Sequence, residues 1–130
     1  MNIDPQVGKE VFESEIARYW FDGGILISDS KSIRRTVGNI SSNVELVRRI
    51  TNNKPVPLLI HLKNSPIPDK ATRKLSTEKL PEIYKAMAMV SKGGLAQFIM
   101  NLLFKFKTPP IPMKSFDNEK DAREWLKQYL

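Results

Sequence analysis

The chain has no cysteine and only one histidine among its 130 residues. Without thiols there is no disulfide, no thiolate metal site and no cysteine nucleophile. With a single imidazole, a zinc site would need to be mostly carboxylate, which zinc disfavours, so neither metal nor cofactor is expected. Glycine is scarce, at six. The pair Gly93-Gly94 lacks the further glycine of a dinucleotide fingerprint and the Gly-Lys-Ser/Thr of a P-loop. The longest apolar stretch, LAQFIMNLLF, is too short and too interrupted to span a bilayer. The opening MNIDPQVGKEVFE has no apolar core of the kind a signal peptide needs. The expectation is a cytoplasmic protein with no membrane span.

What is present reads as one globular domain over residues 1–130, with 1–8 as a loose leader. Hydrophobic residues make up 41% and charged residues 27%, both ordinary for a folded domain. The net charge is +7. A solvated lysine-rich surface accounts for it more simply than a basic face for nucleic acid or anionic lipid. The basic pairs are scattered, at Arg34-Arg35, Arg48-Arg49, Arg73-Lys74 and Lys105 with Lys107. Tyr19, Trp20 and Phe21 cluster beside Arg18, but consecutive strand residues point to opposite faces, so nucleic acid is disfavoured as a partner.

The pattern of elements is more informative. EVFESEIARYWF and ILIS read as two strands joined by Asp22-Gly23-Gly24, a hairpin signal. Val44, Val47 and Ile50 recur at helical spacing through SSNVELVRRITNN, with Asn39 or Ser41 as cap. VPLLIHL is a short apolar strand. KNSPIPD is a loop, because Pro66 and Pro68 remove backbone donors. Asp69 is placed to cap KATRKLSTEKL, which Pro81 interrupts. YKAMAMVS is a strand between two helix signals. Leu95, Phe98, Ile99, Leu102, Leu103 and Phe106 trace the wide apolar face of a helix over 94–106. TPPIP ends it, MKSF is a short strand, and Asp117 or Asn118 starts a closing helix that buries Ala122, Trp125, Leu126 and Tyr129. The order β-β-α-β-α-β-α-β-α predicts an α/β fold. Its sheet is mostly parallel and four- to five-stranded, with an antiparallel N-terminal strand and four helices mainly on one face. The other face then needs cover, which self-association as a homodimer would supply.

Four segments carry a family resemblance. They are YWFDGGILIS, PVPLLIHLKNSPIPDKATRKL, AMAMVSKGGLAQFIMNLLFKF and PMKSFDNEKDAREWLKQYL, in that order over roughly residues 12–130. The chain resembles the STAS-like superfamily of anti-sigma-factor antagonists, and within it small bacterial STAS-like proteins. In the best-known antagonists the strand matching LLIHL leads into a loop ending Asp-Ser-Ser-Gly or similar, and a serine there is phosphorylated by a partner kinase. The aspartate matches Asp69. Lys70, Ala71 and Thr72 follow, so Ala71 stands at the acceptor position and Thr72 at the glycine. The resemblance implies a degenerate phospho-switch loop over Asp69–Thr72, with the acceptor serine absent.

Other candidates for chemistry are few. His61 lies on the strand face opposite Ile60 and Leu62, with Asp69 or Asp29 as conceivable orienter, but no nucleophile elbow accompanies it. Ser91 and Lys92 before Gly93-Gly94 suit a tight strand-to-helix turn better than an anion site. The helix 94–106 is the strongest binding candidate, with Lys105 and Lys107 as a basic rim and Met87, Met89, Met100 and Met113 as an adaptable wall. STAS-like folds also resemble the CRAL-TRIO lipid-binding domains. Three functional readings follow. The first is a non-enzymatic interaction or regulatory module with a protein partner. The second is a carrier or sensor of a small apolar or anionic lipid-like ligand near helix 94–106. The third and least favoured is an enzyme built on His61.

Overall fold

The computed structural model describes residues 9–105 and 107–130. The leader 1–8 and Phe106 lie outside the described residues. A six-stranded sheet runs in sequence order: β1 (Phe12–Glu13), β2 (Ala17–Asp22), β3 (Ile25–Ser30), β4 (Val56–His61), β5 (Tyr84–Val90) and β6 (Met113–Phe116). Pairing is antiparallel from β1 to β3 and parallel from β3 to β6. Gly23 and Gly24 turn the β2–β3 hairpin at φ +60° and +84°, values that side chains rarely adopt. The strand count rises to six because the expected first strand is split. Ser14 Oγ accepts from the amides of Ile16 and Ala17, bending the chain and leaving Phe12–Glu13 as a short edge strand.

Helices α1 (Val37–Ile50), α2 (Lys70–Ile83) and α3 (Leu95–Phe104) fill the crossovers, and α4 (Glu119–Leu126) closes the chain with a 3-10 turn over Lys127–Tyr129. Each crossover moves one place in the same direction. Right-handed connections therefore set α1, α2 and α3 on one face. There Val47, Leu80 and Ala96 pack with Leu26, Leu58 and Met87. α4 follows the last strand and is free of that constraint. It packs on the opposite face, so the expectation of an uncovered second face is corrected. Ala122 and Leu126, both fully buried, meet Ile27, Leu59, Ala86 and Ala88. β5 explains its own composition: Ala86 and Ala88 let α4 approach closely, while Met87 and Met89 fill the other side.

Helix ends depart from expectation in two places. α1 is capped by Thr36, not by Asn39 or Ser41. Thr36 Oγ1 accepts from the Asn39 amide at 3.1 Å, and Asn39 Oδ1 accepts from the Thr36 amide at 2.7 Å, a reciprocal capping box. Pro81 does not interrupt α2. It sits in the last turn, where its missing N–H costs one hydrogen bond, and burial of Leu80 and Ile83 carries the helix on. Asp69 does cap α2, its Oδ1 accepting from the Thr72 amide at 2.8 Å. Asn118 caps α4 in the same way, accepting from the Asp121 amide at 2.8 Å.

Candidate functional site

Under α3 the helical layer does not close on the sheet. A cavity of about 220 Å³ lies there, walled on the sheet side by Leu58, Ile60, Met87, Met89 and Met113 and on the helix side by Leu80, Ile99, Leu102 and Leu103. The cause is local. α3 is a ten-residue helix entered through two left-handed glycines, Gly93 at φ +67° and Gly94 at +78°. Only Ala96 of its described residues is fully buried; Ile99, Leu102 and Leu103 are half-buried because the space beneath them is unfilled. An apolar cavity of about 150 Å³ takes a benzene ring, so this volume suits one ring or a short acyl chain.

The lining is not wholly apolar. Ser28 is 1% exposed, faces the cavity, and its Oγ has no well-formed hydrogen bond among the described residues. Tyr19 and Tyr84 line the same space. Burial pushes both phenols up, Tyr84 strongly, so both stay protonated and able to donate. Asn43 Nδ2 donates to Tyr19 Oη at 2.8 Å, while Asn43 Oδ1 accepts from Ser14 Oγ at 2.7 Å, fixing the amide.

At the C-terminal edge of the strands the cavity is bounded by Arg35, Lys63, Ser65, Pro68 and Arg73, half-buried to exposed. Arg35 immediately precedes the α1 cap. Its Nη1 donates to the carbonyls of Lys31 at 2.6 Å and Ile33 at 2.7 Å, and its Nη2 to that of Ile16 at 3.2 Å. Burial lowers its affinity for the proton, yet a guanidinium stays charged. Arg73, in the first turn of α2, donates from Nη1 to the Pro68 carbonyl at 2.7 Å. Neither arginine has a carboxylate within ion-pair distance among the described residues, whereas Lys63 pairs with Asp29 at 3.3 Å.

The residues singled out from sequence are divided by the fold. Ile99 and Leu102 line the cavity; Leu95 and the half-exposed Phe98 face a shallow depression beside Asn64 and Gly94. Lys105 caps the C-terminus of α3, and Lys107 sits with Lys70, Arg73 and Lys74 between α2 and α3. Phe106 is outside the described residues. Of the four methionines considered for the wall, Met87, Met89 and Met113 line the cavity and Met100 does not. In the Asp69–Thr72 segment, Lys70 and Ala71 are exposed, while Thr72 is 0% exposed, its Oγ1 without a well-formed hydrogen bond. The Thr72 amide holds the Asp69 carboxyl below its usual range. Ser91 accepts from the Ala96 amide at 2.8 Å, and Asp117 borders the same turn, which makes it unsuited to an anion. His61 is oriented by neither Asp69 nor Asp29 but by Glu119, at 2.7 Å. Tyr19 and Trp20 are buried on opposite faces of the sheet.

Ser28, Arg35 and Tyr84 were not singled out from sequence. Ser28 left a readable trace: two residues after Leu26 in ILIS, it occupies a core-facing position with a polar side chain. Arg35 left none, being one member of several scattered basic pairs.

A family model described as "Domain of unknown function (DUF7793)" matches residues 19–130. No curated protein matches the chain. Among solved structures, an uncharacterized protein of the DUF3478 family from Shewanella loihica PV-4, described as having a SpoIIAA-like fold, is similar with a TM-score of 0.54, covering 92% of each chain at 17% identity. That likeness is one of fold, and it agrees with the STAS-like architecture expected from sequence.

Proposed function

The chain belongs to the DUF7793 family, and from that premise we propose that it is a non-enzymatic STAS-like module that takes up a small apolar or anionic amphipathic molecule beneath α3. The observation that carries this reading is the cavity, walled by aliphatic and methionine side chains and holding a few convergent polar groups. The non-enzymatic part keeps the expectation from sequence, in which no nucleophile elbow accompanies His61. Native mass spectrometry of gently purified protein tests the reading: a bound small molecule is expected. Ile99→Phe, which fills the space, should retain the fold and lose that adduct. An adduct unchanged by Ile99→Phe would remove the cavity from the account.

Contact with a protein partner is the second reading, favoured by Phe98. It is 51% exposed on the outward side of the helix that roofs the cavity. Light scattering tests the homodimer form of it. A dimer that Phe98→Ser dissociates supports it, and a strict monomer at high concentration rejects it.

A further inference from the structure

We propose that the cavity selects an anion: a short-chain or single-ring carboxylate, its head held by Arg35 and Arg73 and its tail under α3. This rests on the reading of the cavity as a ligand site. No Asp or Glu is among the lining residues, so no carboxylate meets the two guanidinium groups within the space, although Asp69 outside the lining feels the charge of Arg73. Burying an uncompensated charge is costly, and an anionic ligand removes that cost.

The donor inventory points the same way. Arg35 has five N–H groups. Three are spent on the carbonyls of Lys31, Ile33 and Ile16. That leaves Nε–H and one Nη2–H, the number a single carboxylate accepts side by side. Arg73 spends one N–H on Pro68 and keeps the rest. The first turns of α1 and α2 contain no acidic residue, so their positive ends add to the field at this edge, opposed by the Asp69 cap and by Asp29, which Lys63 pairs.

Ser28 is a separate observation. A hydroxyl buried to 1% exposure without a well-formed hydrogen bond is rare in a finished core; this one faces the cavity with only the Tyr19 phenol beside it. Ser28, Tyr19 and Arg35 border the same cavity, and the Ser28 hydroxyl lies beside the Tyr19 phenol. The interior below is apolar and small, which sets the tail as short.

Isothermal titration of the full chain with octanoate, octanol and octylamine tests the proposal. Octanoate is expected to bind about tenfold tighter than octanol, the effect of one charge-assisted hydrogen bond, with octylamine weakest. Arg73→Gln should shrink the preference for octanoate over octanol by several-fold, and an unchanged ratio would overturn the role of Arg73. Arg35→Gln gives up three backbone tethers, so its melting temperature is measured alongside; Arg73→Gln keeps the test valid if that variant unfolds. Equal binding of octanoate and octanol overturns anion selection while the cavity reading stands. Binding of none of the three overturns both.

Discussion

The His61 imidazole meets the Glu119 carboxylate, Nε2 to Oε1, at 2.7 Å, joining the C-terminal end of β4 to the first turn of α4. The pair begins a chain of charges. Arg123 Nε donates to Glu119 Oε2 at 2.9 Å, Arg123 Nη2 donates to Asp22 Oδ2 at 2.9 Å, and Lys9 Nζ lies 2.8 Å from Asp22. The chain ties α4, the one helix not held by a crossover, to two strands of the sheet.

Acid should loosen that attachment. Burial works against the charged form of Glu119, but hydrogen bonds from His61 and Arg123 outweigh it and hold the carboxyl below its usual range. The Lys9 hydrogen bond holds Asp22 low as well, with Arg123 adding to it. A carboxylate depressed in the folded state contributes stability above its unfolded pKa and loses it as pH falls through the folded value. The melting temperature is therefore expected to be steady from neutrality to about pH 4 and to fall below that. Glu119→Gln should melt lower than the parent at neutral pH and show a shallower acid limb. An unchanged acid limb would mean that the network does not couple α4 to the sheet.

The cover on the second face depends on Leu126. It is fully buried among Ile25, Ile27, Leu59 and the β5 alanines. Leu126→Ala should cost about 2–5 kcal/mol by urea denaturation, since deletion leaves a cavity against a rigid sheet. A cost under about 1 kcal/mol would show that α4 is not docked as described.

Ser28→Ala should act in opposite directions on stability and binding. Removing a buried hydroxyl that lacks a well-formed hydrogen bond relieves its desolvation and should raise the unfolding free energy of the empty protein by about 1 kcal/mol. The same change should weaken octanoate binding. A stability loss would indicate that the hydroxyl already has a partner in solution.

Gly94→Ala tests the entry to α3. At φ +78° a side chain meets backbone strain, and nothing lies within 4 Å of the added Cβ. The penalty is then conformational, about 1–2 kcal/mol. It should appear as faster hydrogen exchange confined to α3. Uniform acceleration across the sheet would contradict a local role.

Much of the fold was legible in the sequence because its signals are local. Asp-Gly-Gly specifies a tight hairpin through its tolerance of positive φ, Asp69 caps by reaching three residues along its own chain, and apolar runs mark β3, β4 and β5. Pro81 was misread because a proline near a helix end has little to break, and whether the helix continues depends on what buries Leu80 and Ile83. Thr36 was passed over as cap because the hydroxyl and amide residues around Asn39 and Ser41 offered equally plausible local partners.

The sequence by itself determined the order of strands and helices, the handed crossovers that place α1 to α3 together, and the division of β5 into small and large sides. These follow from backbone preferences and from periodicities of two and 3.6 residues. The tertiary structure alone decided that α4 covers the far face, that His61 finds Glu119, and that Arg35, Arg73 and Ser28 border one space. Such meetings depend on side-chain volumes summed across elements and on partners up to 101 residues apart, which no local pattern records.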